Sequence, residues 1–167
     1  MRDDKKASVW SKYTAQDHSA LEELAHGYID FLSTCKTERE SVTEAVRLAQ
    51  EAGYLDLADI IAQGTALKEG DKVYAVHMKK AVVLFHIGEA PLAQGMNILG
   101  AHIDTCRLDV KQNPLYEDSG LAYFDTHYYG GIKKYQWVTI PLALHGVVVK
   151  KDGTTIQITL GEREDDP

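Results

Sequence analysis

Apolar residues recur at two different periods along the chain, and the change of period divides it. Leu21, Leu24, Tyr28 and Leu32 follow one another at helical spacing behind Ser19-x-x-Glu22, a pattern in which hydroxyl and carboxylate cap the first turn reciprocally. A second helix is predicted behind Thr37-x-x-Glu40 or Ser41-x-x-Glu44. Val42, Ala45, Val46 and Ala49 make its apolar stripe, and Gly53 stops it. Residues 64–72 are polar and turn-rich, and beyond them the period is that of strands.

Residues 73–77 (VYAVH) and 81–85 (AVVLF) are β-rich runs joined by Met78-Lys79-Lys80, which predicts a hairpin. A loop follows at 88–95, containing Pro91. Residues 96–103 are nearly all apolar and predict a central strand buried on both faces. Helices followed by a mixed sheet give the α/β class. Past Leu108, Asn113-Pro114 is expected to break the chain and residues 117–124 to be irregular. Residues 138–144 and 146–150 are strand-like, and Lys151-Asp152-Gly153 predicts a hairpin turn into a further strand at 154–160. The charged end, residues 162–167, cannot close a core.

The chemistry concentrates where the apolar run ends. Ile98-Leu99-Gly100-Ala101 delivers His102 and Asp104 two positions apart, and on an extended chain such residues emerge on the same side. Ile103 would turn back into the core. An imidazole beside a carboxylate suits a metal site, because the carboxylate fixes the ring tautomer and raises its basicity. Other candidates carry blander readings. His77 and His86 fall in the predicted hairpin strands, where partial burial or a sheet edge is the usual fate, and His18 and His26 are expected to be solvated. Cys106 would need a nearby cation to become a nucleophile, and Arg107, its neighbour, points to the other face of an extended chain. The lysine pairs at 79–80, 133–134 and 150–151 are read as turn caps. Tyr128, Tyr129, Tyr135 and Trp137 form the densest aromatic cluster, suited to an interface or a small-domain core.

Composition narrows the classes. At 167 residues the chain is long enough for one domain, and 44% apolar with 26% charged residues is the balance of a soluble globular protein. A net charge of -7 argues against a nucleic-acid partner. No apolar stretch is long enough to span a membrane, and the first ten residues lack the apolar core of a signal peptide. Cys35 and Cys106 make no disulfide framework, so the expected location is cytoplasmic.

Residues 98–111, ILGAHIDTCRLDVK, resemble the first metal-ligand segment of the aspartyl aminopeptidase and vacuolar aminopeptidase I family, dinuclear zinc exopeptidases with a signature close to AHTDSPxLxxK. NPLYE at 113–117 and THYYGG at 126–131 resemble the same family at the same relative position, and the similarity runs from Trp10 to the last residue. Ile103 and Thr105-Cys106 replace the commoner Thr and Ser-Pro, as in a bacterial branch. Family members run to well over twice this length.

The resemblance implies a fold and a role. Residues 1–107 would be the N-terminal segment of a zinc-exopeptidase catalytic domain. Residues 108–167 would begin a β-rich dimerisation domain inserted into it. His102 would be the terminal ligand of one zinc and Asp104 the carboxylate that orients it. The other ligands of a two-zinc site, which can also take Co2+, would come from residues beyond this chain. The implied reaction removes the N-terminal residue of a peptide. The implied partners are the peptide substrate, the rest of the enzyme, and further copies forming dimers and then a dodecamer, with no nucleic acid or membrane. The alternative is a catalytically inactive assembly or regulatory subunit. No functional family position falls on His145, and His127, inside THYYGG, is read as structural.

Overall fold

A hydroxyl and a carboxylate three residues apart open each of the two long helices. The computed structural model describes residues 8–162, which divide into one compact unit ending at Cys35 and another beginning at Lys36. The predicted charged end lies, apart from Glu162, outside the described residues.

In the first unit a short 3-10 turn, Val9–Lys12, leads into helix α1 (Ala15–Thr34). The helix starts before the predicted Ser19. Thr14 accepts from the Asp17 amide, and the Asp17 carboxylate accepts from the Thr14 amide at 2.8 Å. Thr14-x-x-Asp17 thus captures the free first-turn donors, and Ser19 and Glu22 lie within the helix.

The second unit opens with helix α2 (Glu38–Glu51), capped as predicted by Thr37 and Glu40. It ends through Ala52, and Gly53 follows at φ +85°, a left-handed conformation that suits glycine. A two-residue strand β1 (Leu55–Asp56) leads into a short helix α3 (Leu57–Ala62), capped by Asp56. Strands β2 (Lys72–His77) and β3 (Ala81–His86) form the expected hairpin in full six-pair register. With β1 parallel to β2, this is a three-stranded mixed sheet of order β1-β2-β3. Val42 and Ala49 of α2 and Val73 and Tyr74 of β2 are its buried core. Burial of Val73 alone contributes about 2 kcal/mol. Gln50 donates to the Tyr74 hydroxyl at 2.9 Å, so the polar end of that ring is also satisfied.

Four expectations fail. Residues 96–103 form no strand and are largely exposed. A strand needs a neighbour to accept and donate its backbone hydrogen bonds, and among the described residues none flanks this run. Residues 117–124 are not irregular: β4 (Arg107–Asp118) and β5 (Leu121–Tyr129) form a long hairpin turning at Ser119-Gly120. Asn113-Pro114 does not break β4 but sits where the register shifts between Val110 and Leu115, a bulge that accommodates a residue without an N–H. Residues 138–143 are not a strand either. A short helix α4 (Lys134–Trp137) precedes them, Thr139 folds back to donate to the Gln136 carbonyl, and Pro141 removes a donor.

The last elements are as expected: β6 (Leu144–Val149) and β7 (Thr155–Leu160) pair antiparallel across the turn at 151–153. The first turn of α2 ties both hairpins to the sheet unit. Glu38 reaches Arg107 of β4, and Glu40 reaches His145 of β6.

Candidate metal-ligand pair

The end of the run that forms no strand brings His102 and Asp104 together. The His102 Nδ1 lies 2.9 Å from the Asp104 main-chain carbonyl and 3.2 Å from its Oδ1. Both neighbours are acceptors, so the proton belongs on Nδ1, and the Nε2 lone pair is left for a ligand. The imidazole is largely exposed, while Ile103 between the pair is half-buried.

Asp104 is held from the other side by β5. The Tyr129 hydroxyl donates to its Oδ2 at 2.8 Å. That hydrogen bond, with the residue's own amide and the nearby imidazole, holds the Asp104 carboxyl below the usual carboxylate range. The same bond pushes the Tyr129 phenol up. The Arg107 guanidinium lies 4.1 Å from the Tyr129 ring centroid, a cation–π stack. It is anchored by Asp109 at 2.7 Å and Glu38 at 3.1 Å. Although burial opposes its charge, these two acids keep the Arg107 pKa raised. His102, Asp104 and Tyr129 line an open cleft of about 420 Å3 with Glu38 and Lys80.

The donor set fits one ligand position and no more. Among the described residues there is no group of three or more His, Cys, Asp and Glu able to hold a metal, whereas zinc takes three or four protein ligands. The Cys106 thiol faces the Gly131 carbonyl at 3.7 Å, and the adjacent Arg107, the cation that could have activated it, is turned to its two acids.

The remaining histidines separate clearly. His18, His26, His77 and His86 are exposed, and His127 lies flat against Tyr128 with ring centroids 5.3 Å apart. His145, to which sequence reasoning gave no role, is the most enclosed. Its Nδ1 meets Glu40 at 2.9 Å and its Nε2 meets Glu162 at 3.0 Å. No local signal marks this contact, because Glu40 is already explained as a capping residue.

Comparison with known proteins places these features in a family. Residues 31–167 match the model described as aminopeptidase I zinc metalloprotease (M18). A probable aminopeptidase 1 of Clostridium acetobutylicum is 55% identical over 160 residues, covering 96% of this chain and 34% of that protein. The corresponding Thermotoga maritima protein is 42% identical over the same length. The crystal structure of aminopeptidase I from Borrelia burgdorferi superposes with a TM-score of 0.86 at 36% identity, over 95% of this chain and 38% of that one. That of Clostridium acetobutylicum aminopeptidase I gives 0.80 at 56% identity, over 95% and 35%. The chain spans about a third of the length of the relatives it matches.

Proposed function

The chain belongs to the aminopeptidase I zinc metalloprotease family, and on that footing we propose that it is the first third of a metalloaminopeptidase to which it contributes one zinc ligand. The supporting observation is the His102–Asp104 pair, whose geometry leaves Nε2 of an oriented imidazole free in an open cleft. His102 is the ligand, and Asp104 holds its tautomer. The remaining ligands of a two-zinc site, with Co2+ as an alternative metal, lie in the segments by which the relatives exceed this chain. Bound zinc supplies Lewis acidity toward the scissile carbonyl and the attacking water. The residues of this chain hold and orient one ligand and shape one wall of the cleft. The substrate is a peptide, from which the N-terminal residue is removed.

The domain boundary falls at 107/108 in this reading, with the two late hairpins beginning an inserted dimerisation domain. Copies assemble through it into dimers and then a larger, dodecameric particle in the cytoplasm. No helix among the described residues is long and apolar enough to cross a membrane. An inactive assembly subunit has no observation in its favour, since the pair such a subunit could lose is intact.

The test completes the chain to the length of its relatives and measures zinc content and hydrolysis of amino-acid p-nitroanilides. His102→Ala should remove zinc and lower kcat at least about 100-fold, or about 3 kcal/mol in the barrier. Undiminished zinc content and activity in that variant would refute the proposal.

A further inference from the structure

Tyr129 stands 25 positions from Asp104 in sequence, yet among the described residues its hydroxyl supplies the one side-chain hydrogen bond that Asp104 receives from another element. The two carboxylate oxygens have different work. Oδ1 faces the His102 ring at 3.2 Å, and Oδ2 accepts from Tyr129 at 2.8 Å. A carboxylate tethered through one oxygen cannot rotate freely about its terminal torsion, so the other oxygen stays aimed at the imidazole. The tether is itself braced. The Tyr129 ring is covered by the Arg107 guanidinium at 4.1 Å, and Arg107 is fixed between Asp109 on its own strand and Glu38 in the first turn of α2. A planar guanidinium held by two acids is a rigid lid for a ring.

We propose that Tyr129 is a positioning residue for the zinc site, acting through Asp104 on the orientation of His102, with Arg107 and Glu38 holding the phenol in place. The chain of contacts runs Glu38, Arg107, Tyr129, Asp104, His102, and it joins the helix, both strands of the β4–β5 hairpin and the ligand segment. Tyr128, next in sequence, has a different environment: Lys134 lies 4.1 Å from its ring centroid and its neighbour is His127. The proposal rests on the reading of His102 as a zinc ligand.

The experiment uses the full-length enzyme, with Zn2+ affinity of the metal-stripped protein measured by chelator competition and kcat and KM measured on the reloaded protein. Tyr129→Phe keeps the ring under Arg107 and deletes only the hydroxyl. Partners of a ligand typically change metal affinity about 10–100-fold, and one contact further out the lower end applies, so a loss of about 10-fold is expected. The loss should fall on kcat with KM unchanged, and Tyr128→Phe should change neither quantity. The deciding measurement is the double variant. If the hydroxyl acts through the carboxylate, Tyr129→Phe should cost nothing more in an Asp104→Asn background. An undiminished additional loss there would overturn the proposal, as would unchanged zinc affinity in Tyr129→Phe when the wild-type enzyme binds zinc. A wild-type enzyme that binds no zinc would overturn both this proposal and the metallopeptidase reading beneath it.

Discussion

Glu40 and His145 meet at 2.9 Å across 105 residues of chain, and the glutamate is at the same time the capping residue of α2. Its Oε2 accepts from the Lys36 and Thr37 amides at 3.0 and 2.9 Å, while Oε1 faces the imidazole. One side chain therefore starts a helix and holds the β6–β7 hairpin.

That contact has a pH window. For His145, burial disfavours the charge, but hydrogen bonds to Glu40 and Glu162 outweigh it and raise the pKa above 6.5. For Glu40, burial also opposes the charge, and the bonds from His145, Thr37 and Lys36 outweigh it and lower the pKa below 4.5. A raised histidine contributes its full stability below the unfolded value and loses it as pH rises through the folded one. A lowered carboxyl contributes above its unfolded value and loses it as pH falls through the folded one. Attachment of the hairpin should thus be strongest between 4.5 and 6.5. Amide exchange in β6 and β7, followed from pH 5 to 9, should show protection falling on the alkaline side by about 1–2 kcal/mol. His145→Gln should flatten that profile; two parallel profiles would exclude the clamp.

Asp104→Asn separates ligand from partner. In the full-length enzyme it should weaken zinc affinity or activity about 10–100-fold while leaving the fold intact, because it removes charge without removing volume. The 167-residue chain by itself should hold zinc no more tightly than roughly micromolar, about -8 kcal/mol, since one imidazole is too few ligands. Isothermal titration reads both quantities, and a stoichiometric nanomolar site in the chain alone would contradict the ligand count.

A third prediction concerns the turn after β5. Gly130 has φ +74°, and a Cβ built there would lie 2.9 Å from the Cys106 Sγ. Gly130→Ala should lose about 1–2 kcal/mol from the left-handed backbone alone, and more from displacing the thiol. Adding Cys106→Ala should return only the steric part. Thermal denaturation of the two variants checks this, and full recovery in the double variant would show that the backbone conformation costs nothing.

Sequence reasoning succeeded where the controlling interactions are local. Thr37 and Glu40 are three residues apart, the β2–β3 hairpin is set by a short turn between two β-rich runs, and His102 and Asp104 lie two residues apart. It failed where a partner is distant. The apolar run at 96–103 reads as a strand but has no neighbour to pair with among the described residues. Asn113-Pro114 carries a breaker signal, yet a bulge absorbs it because Asp125 alone spans the gap in the register, with Lys111 reaching its carboxylate at 3.0 Å. Tyr129 was visible as one of an aromatic cluster, but nothing local says that its hydroxyl meets Asp104 or that Arg107 covers its ring. The Thr14-x-x-Asp17 cap was missed for another reason: it precedes the apolar period by a full turn, so the pattern used to find the helix starts too late.

The chain by itself should associate. Ile98 is 79% exposed and Leu99 fully so, in a run whose composition belongs to a sheet interior. Beside β2, strand β3 has a second edge with no pairing among the described residues, and Val83, Leu84 and Phe85 along it are exposed. Unpaired backbone next to apolar side chains is a template for another chain. The β4–β5 hairpin adds Leu115, Tyr116 and Phe124, and the segment after α4 adds Val138, all exposed. The net charge of -7 opposes association, but it is dispersed, and at physiological salt charges more than about 8 Å apart are largely screened. Contact between apolar patches works at shorter range and does not weaken with salt. Light scattering should therefore report a dimer or larger species whose mass grows with concentration and persists at high salt. Leu99→Lys and Val83→Lys together should shift it toward monomer, because each places a charge in the surface that would be covered. A concentration-independent monomer of the unaltered chain, melting cooperatively, would mean that these residues close a core of their own and need no further strands.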